Sequence, residues 1–342
     1  MKRNPLAMIN SAILIAVLSV LLFQIASSQD SAKFEYTQAN YASKDFDTSV
    51  TSFFDKFEGN SLDLTKWGYQ NGNGTEYGIS GWGNNERQAY ATENVVVENG
   101  TLKIFAKRER KHDRDYTSGK IVTANSRGDA ALGEPAEGKG TKFAQTYGRF
   151  EAKIRLSKPL RGLWPAFWMM PNHATYGGWP RSGEIDIMEI AGADPNHAFS
   201  AVHVKPPGDG WHSTFVGVEH KFEDGKTYTD WHVYGVVWTP EEIIFLIDGY
   251  ETQRVGRSWW NTPWYAANGF ESKGAPLDHD MYLILNLALD SGRWKRENSL
   301  QPDADLPVYL EVDWVRAYTM ENDPWPQSFG KLPDHRRRDF RN

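Results

Sequence analysis

An all-β fold of two packed antiparallel sheets is predicted, on three observations. Short runs of alternating apolar and polar residues recur from Phe53 onward, Gly, Asn, Asp and Pro separate them, and almost no long stretch repeats with helical period. The runs lie at residues 94–98, 102–106, 148–156, 184–190, 199–204, 232–238, 243–247, 281–287 and 309–317. Runs of this kind over about 270 residues, with no internal repeat, bury one face each by pairing into two sheets.

The chain has 342 residues, enough for one large domain with a sizeable core. Residues 1–28 stand apart. Lys2 and Arg3 precede a mostly apolar stretch from Leu6 to Ile25, and Ala26, Ser27 and Ser28 are small. This is the pattern of an export signal cleaved near its end, and its length also admits an uncleaved anchor. Residues 29–50 read as a polar leader, residues 51–320 as the folded domain, and residues 321–342, with Asp-His-Arg-Arg-Arg, as a solvated tail. Within the domain, 107–141 is dense in charge and then in Gly, Ala and Glu, and reads as a long insertion loop.

Composition narrows the function. A net charge of −6 argues against a nucleic-acid or anionic-membrane partner. The absence of cysteine excludes disulfides, thiolate metal sites and a cysteine nucleophile. Fourteen tryptophans are more than a core needs, because Trp is costly to bury whole and often carries binding surface.

The segment Gly183-Glu184-Ile185-Asp186-Ile187-Met188-Glu189-Ile190 carries the most information. On a strand, Ile185 and Ile187 face one side and Glu184 and Asp186 the other. Strict alternation would turn Glu189 toward the apolar side, where an unpaired charge is expensive. One extra residue taken up as a β-bulge near Ile187–Met188 returns Glu189 to the acidic face. Three such acids fit a solvated strand, a Ca²⁺ or Mg²⁺ site, or the two-carboxylate site of glycoside hydrolysis, where repulsion splits the pKa values.

The flanks decide among these. The stretches Arg161-Gly-Leu-Trp-Pro-Ala-Phe-Trp-Met-Met170 and Tyr176-Gly-Gly-Trp-Pro-Arg-Ser182 precede the acids. Gly81-Trp-Gly-Asn-Asn-Glu86, Tyr147-Gly-Arg-Phe-Glu-Ala152, His232 to Pro240, Tyr282-Leu-Ile-Leu-Asn286 and Glu311 to Tyr318 follow the same order over residues 53–319. With the E-x-D-x-x-E strand, they resemble the laminarinase-like branch of glycoside hydrolase family 16. The resemblance implies a β-jelly-roll sandwich whose concave sheet carries a substrate cleft, and a retaining hydrolysis. It makes Glu184 the nucleophile, Glu189 the acid/base and Asp186 their assistant. The substrate it implies is β-1,3-glucan, with mixed 1,3/1,4-β-glucan beside it. A galactan hydrolase and a non-catalytic β-glucan recognition protein are the alternatives. No cofactor, no membrane contact of the mature chain and a monomeric state are expected.

Substrate binders follow from residue chemistry. Trp164 and Trp168 are four apart and share a strand face, so both are candidates to pack against sugar rings, while Phe167 points into the sandwich. Asn84, Asn85 and Glu86 sit in a Gly-rich loop that can present polar groups to hydroxyls. Arg149 either reaches the nucleophile region or forms a structural ion pair. His203 supports Glu189 or a sugar, and Trp179 and Trp211 are further candidates. The resemblance also offers a structural calcium with Asp313 as a ligand. However, Lys56 in Asp55-Lys56-Phe57 stands where relatives carry an acid and disfavours the ion. Leu289 and Asp290 replace a Gly pair that relatives carry, which alters one cleft edge.

Overall fold

The structure is a computed structural model. It describes residues 48–124, 140–206, 213–222, 225–270, 272–292 and 294–324, and the strands at 330–331 and 337–341. Residues 1–47, which hold the expected export signal and nearly all of the expected leader, the Gly-rich stretch 125–139 and Trp211 lie outside the described residues.

Two large sheets form a jelly-roll sandwich. The first runs β18 (Gly330–Lys331), β15 (Tyr250–Gly256), β14 (Glu242–Ile247), β13 (His232–Trp238), β8 (Gly148–Leu156), β17 (Val308–Tyr318), β5 (Thr101–Ala106) and β4 (Val95–Glu98), with β1 (Phe53–Asp55) also on β17. The second runs β19 (Arg337–Arg341), β12 (Thr214–Lys221), β11 (His197–Val204), β10 (Glu184–Glu189), β9 (Leu163–Pro171), β16 (Met281–Leu289), β7 (Lys120–Val122) and β2 (Gly68–Tyr69). A parallel pair, β3 (Gln88–Tyr90) and β6 (Tyr116–Ser118), stands beside them. Among the described residues, the α-helices are two short ones, Arg257–Trp260 and Pro263–Ala267, and no helix is long and apolar enough to cross a membrane.

Alternation assigns each face. On β8, Phe150, Ala152, Ile154 and Leu156 enter the core. On β16, Met281, Leu283, Leu285, Leu287 and Leu289 do so, and on β9 Leu163, Phe167 and Met169. Each of these side chains larger than Ala stabilises the fold by about 1.5–3 kcal/mol. The opposite face of the second sheet carries Trp164, Ala166 and Trp168 from β9, and Tyr282, Ile284 and Asn286 from β16. Phe199 and His203 join them from β11.

Two readings of the sequence need correction. The stretch 107–141 is not one loop, because β6 and β7 lie within it and Tyr116 and Ile121 pack in the core. Strands of three residues are too short to show a period. The tail also joins the sandwich: Arg337–Arg341 pairs antiparallel with β12, from Val216↔Arg341 to His220↔Arg337. An edge strand is held by backbone hydrogen bonds and shows no apolar pattern to read.

Candidate active site

The bulge forms where the spacing requires it. On the β11 side, Asp186 faces Ala201 and Glu189 faces Phe199, so three steps of β10 meet two of its neighbour. On the β9 side, Asp186 faces Trp168 and Met188 faces Phe167. Ile185, Ile187 and Met188 all pack in the core, which leaves Glu184, Asp186 and Glu189 on the opposite face. Two consecutive inward residues are what the bulge makes possible.

Indole N–H groups hold the two glutamates. Trp179 Nε1 donates to Glu184 Oε2 at 2.6 Å, and Trp164 Nε1 donates to Glu189 Oε1 at 2.7 Å. His203 faces Glu184 across the β10–β11 pair, with Nε2 3.3 Å from Asp186 Oδ2 but off the hydrogen-bond direction. Its other nitrogen lies 3.4 Å from Ser213 Oγ, and its ring stacks on Phe215 at 5.2 Å. His203 thus stands beside Asp186 and Glu184.

Burial governs the charges. It pushes Glu184 up to about 8, with the negative charge of Asp186 adding and His203 and the Trp179 N–H opposing. Glu189 is pushed up to about 7 by burial, against the Trp164 hydrogen bond, His203 and Lys295. Asp186 is pushed well above the carboxylate range by burial and then by Glu189. Burial and mutual repulsion thus raise all three carboxyls together, so their protons are shared within the cluster.

This has a stability consequence of definite sign. A carboxyl raised in the folded state stabilises fully below its unfolded value, here near 3.8, and loses that contribution as pH rises, because the unfolded chain ionises first. Asp186→Asn removes the loss. Its Tm is expected to exceed the wild-type Tm by a margin that grows from pH 4 to pH 8, at roughly 2–4 °C per kcal/mol relieved. Calorimetry across that range checks it, and a margin constant with pH contradicts it.

A second polar chain runs beside the acids. Trp168 Nε1 donates to Asn286 Oδ1 at 2.7 Å, Asn286 Nδ2 to the Tyr90 hydroxyl at 3.1 Å, and that hydroxyl to Glu86 Oε2 at 2.9 Å. Glu86 is buried and also accepts from Gln88 at 2.6 Å and, at 3.4 Å, from the exposed Asn84. Asn85 is exposed, with φ 56°, and reaches Ser291 Oγ at 3.4 Å. The Gly81–Glu86 loop therefore divides: Glu86 braces Trp168 from below, while the two asparagines stay at the surface.

Lys120 joins this group. Its Nζ lies 4.4 Å from the Trp82 ring centre, 5.1 Å from Trp168 and 5.9 Å from Tyr90. Burial lowers it to about 8 against the pull of Glu86 and Glu184. Sequence reasoning missed Lys120, Tyr90, Gln88 and Asn286. Asn286 alone left a signal, as the one amide in an aliphatic strand.

Arg149 does not belong here. It lies on β8, in the other sheet, with Phe150 beside it turned into the core. It is fully buried and pairs with Asp323 at 2.9 Å and Glu151 at 3.3 Å. The structural ion pair is the reading that the structure supports.

The residues matched to a calcium site do not fit an ion. Asp313 Oδ2 lies 3.0 Å from Lys153 Nζ, and Lys56 Nζ lies 2.7 Å from Glu58. An ammonium group thus already neutralises the Asp313 carboxylate that a cation would need.

Comparison with known proteins converges on one group. The family described as "Glycosyl hydrolases family 16" matches residues 83–299. The chain is 36% identical to a beta-glucanase of Rhodothermus marinus, over 77% of this chain and 83% of that protein. It is 34% identical to Glucan endo-1,3-beta-glucosidase A1 of Niallia circulans over 77% of this chain, but spans only 37% of that longer protein. Among solved structures, the endo-beta-1,3-glucanase of Pyrococcus furiosus superposes with TM-score 0.63 at 31% identity, covering 79% of this chain and 94% of that one.

Proposed function

The chain belongs to glycoside hydrolase family 16, and we propose that it is a retaining endo-hydrolase of β-1,3-glucan, with mixed 1,3/1,4-β-glucan as a second substrate. One observation carries the reading: the bulge at Ile187–Met188 sets Glu184, Asp186 and Glu189 on one face, with an indole N–H on each glutamate.

In this reading Glu184 attacks the anomeric carbon while Glu189 protonates the departing glycosidic oxygen. The glycosyl-enzyme is then opened by a water that Glu189, now ionised, deprotonates. Asp186, between them on the same face, orients and tunes Glu184. Greater identity to a glucan endo-1,3-beta-glucosidase (34%) and a beta-glucanase (36%) than to a keratan-sulfate endo-1,4-beta-galactosidase (29%) favours a glucan over a galactan. Residues 1–28 support an exported enzyme, as a polysaccharide substrate requires.

The test is release of reducing ends from laminarin, lichenan, agarose and carrageenan. Laminarin is expected to be cut fastest into oligosaccharides, lichenan more slowly, and the two galactans at no measurable rate. Faster cleavage of either galactan would overturn the substrate reading.

A further inference from the structure

The described residues of the segment that follows β16, Asp290 to Gly292 and Trp294 to Leu300, lie across the face of the second sheet at its Glu189 end. Register puts Glu219, Phe199 and Glu189 opposite one another on β12, β11 and β10, with Ala166 next on β9. The segment touches this row from one side to the other. Trp294 stacks on Trp164 of β9, with centroids 4.8 Å apart and planes at 7°. It also meets the ring of Phe199 on β11 at 6.2 Å. Lys295 Nζ reaches Glu219 on β12 at 2.6 Å.

Its root is rigid. The buried Asp290 carboxylate accepts the backbone N–H groups of Gly292 at 2.8 Å, Lys295 at 3.3 Å and Trp294 at 3.4 Å. Asn298 accepts from Gly162 at 3.1 Å and Ala193 at 2.9 Å, and donates to Leu163 O at 2.9 Å. This is what stands in place of the Gly pair expected after β16.

We infer that this segment is a strap over the leaving-group side of the site, and that Trp294 is a positioning residue for Glu189, acting through Trp164. The inference rests on the acid/base reading of Glu189. Trp164 is half-buried, and its indole can donate to Glu189 Oε1 only in one orientation. A parallel ring against one of its faces fixes that orientation, at a cost in freedom already met by the strap's anchors. The same contact occupies a face of Trp164 that a sugar would otherwise use, so Trp164 orients the acid more than it carries substrate.

Trp294→Ala tests this, with Trp294→Leu as a second variant that keeps the volume without the planar stack and Trp294→Phe as the conservative rescue. Rates are read on laminarin and on a dinitrophenyl β-glucoside of laminaribiose, whose leaving group needs no proton, as a function of pH. In the first two variants kcat/KM on laminarin is expected to fall about 10–100-fold, with little change in glycosyl-enzyme formation, read as kcat/KM, on the dinitrophenyl substrate. The basic limb of kcat/KM should move to higher pH, because the N–H that holds Glu189 down is lost. Trp294→Phe should restore most of the laminarin rate. Equal loss on both substrates with an unmoved basic limb would overturn the inference. So would wild-type behaviour in folded Trp294→Leu. Glu189→Ala run alongside separates the two failures. If it loses laminarin activity as expected while the Trp294 variants show no split, the strap inference alone falls. If it keeps the wild-type rate, the acid/base reading falls, and the inference with it.

Discussion

Replacing Glu184 with alanine is expected to lower turnover of laminarin by on the order of 10⁴- to 10⁶-fold, the largest effect of any single substitution in this chain. Removing the nucleophile removes the covalent step, and the remaining groups cannot substitute for it. Binding should survive, since Trp168 keeps its bond to Asn286 and Trp179 loses only an acceptor. The space vacated by the carboxylate opens a route for azide from the same face. Azide added to Glu184→Ala with an activated glucoside should yield an α-glycosyl azide, the product of one inversion. A β-azide, or no rescue together with a wild-type rate, would contradict the assignment.

Glu189→Ala should show the complementary pattern. Without a proton donor, cleavage of laminarin is expected to fall about 10²- to 10⁴-fold. Formation of the glycosyl-enzyme from a dinitrophenyl glycoside should stay near the wild-type rate, because that leaving group departs unprotonated. Hydrolysis of the intermediate then becomes slow for lack of a base, so a burst of dinitrophenolate should precede the steady state. Azide should accelerate turnover here too, but give the β-glycosyl azide, by two inversions. The opposite anomeric outcomes in the two variants separate nucleophile from acid/base without reference to either rate. Loss of the burst, with equal damage on both substrates, would speak against Glu189 as the acid.

The acid face was readable because β10 obeys a simple rule with one exception. Isoleucines at 185 and 187 define the inner face, and Glu189 can share the face of Glu184 only through an inserted residue, which the register contains. Phe167 and the two tryptophans flanking it followed from alternation on β9 in the same way. What alternation cannot supply is the sheet to which a strand belongs. Arg149 lies on a strand as regular as β9, yet in the other sheet, and its partners Glu151 and Asp323 lie 2 and 174 positions away. Lys120 was hidden for a different reason. Its strand has three residues inside a charged stretch, and only the three-dimensional closure of Trp82, Tyr90 and Trp168 around it gives it a role. Trp294 belongs to a loop, where position depends on anchors such as Asp290 that carry no periodic signal.

The central claim is double displacement on a β-1,3-glucan by one carboxylate nucleophile and one carboxyl acid. The anomeric form of the first product tests it most directly. Proton NMR of laminarin hydrolysis, recorded within minutes of adding enzyme, should show the β-anomeric signal of new reducing ends first, with the α signal growing only as mutarotation proceeds. Initial appearance of the α anomer would mean single displacement, and would contradict Glu184 as a nucleophile.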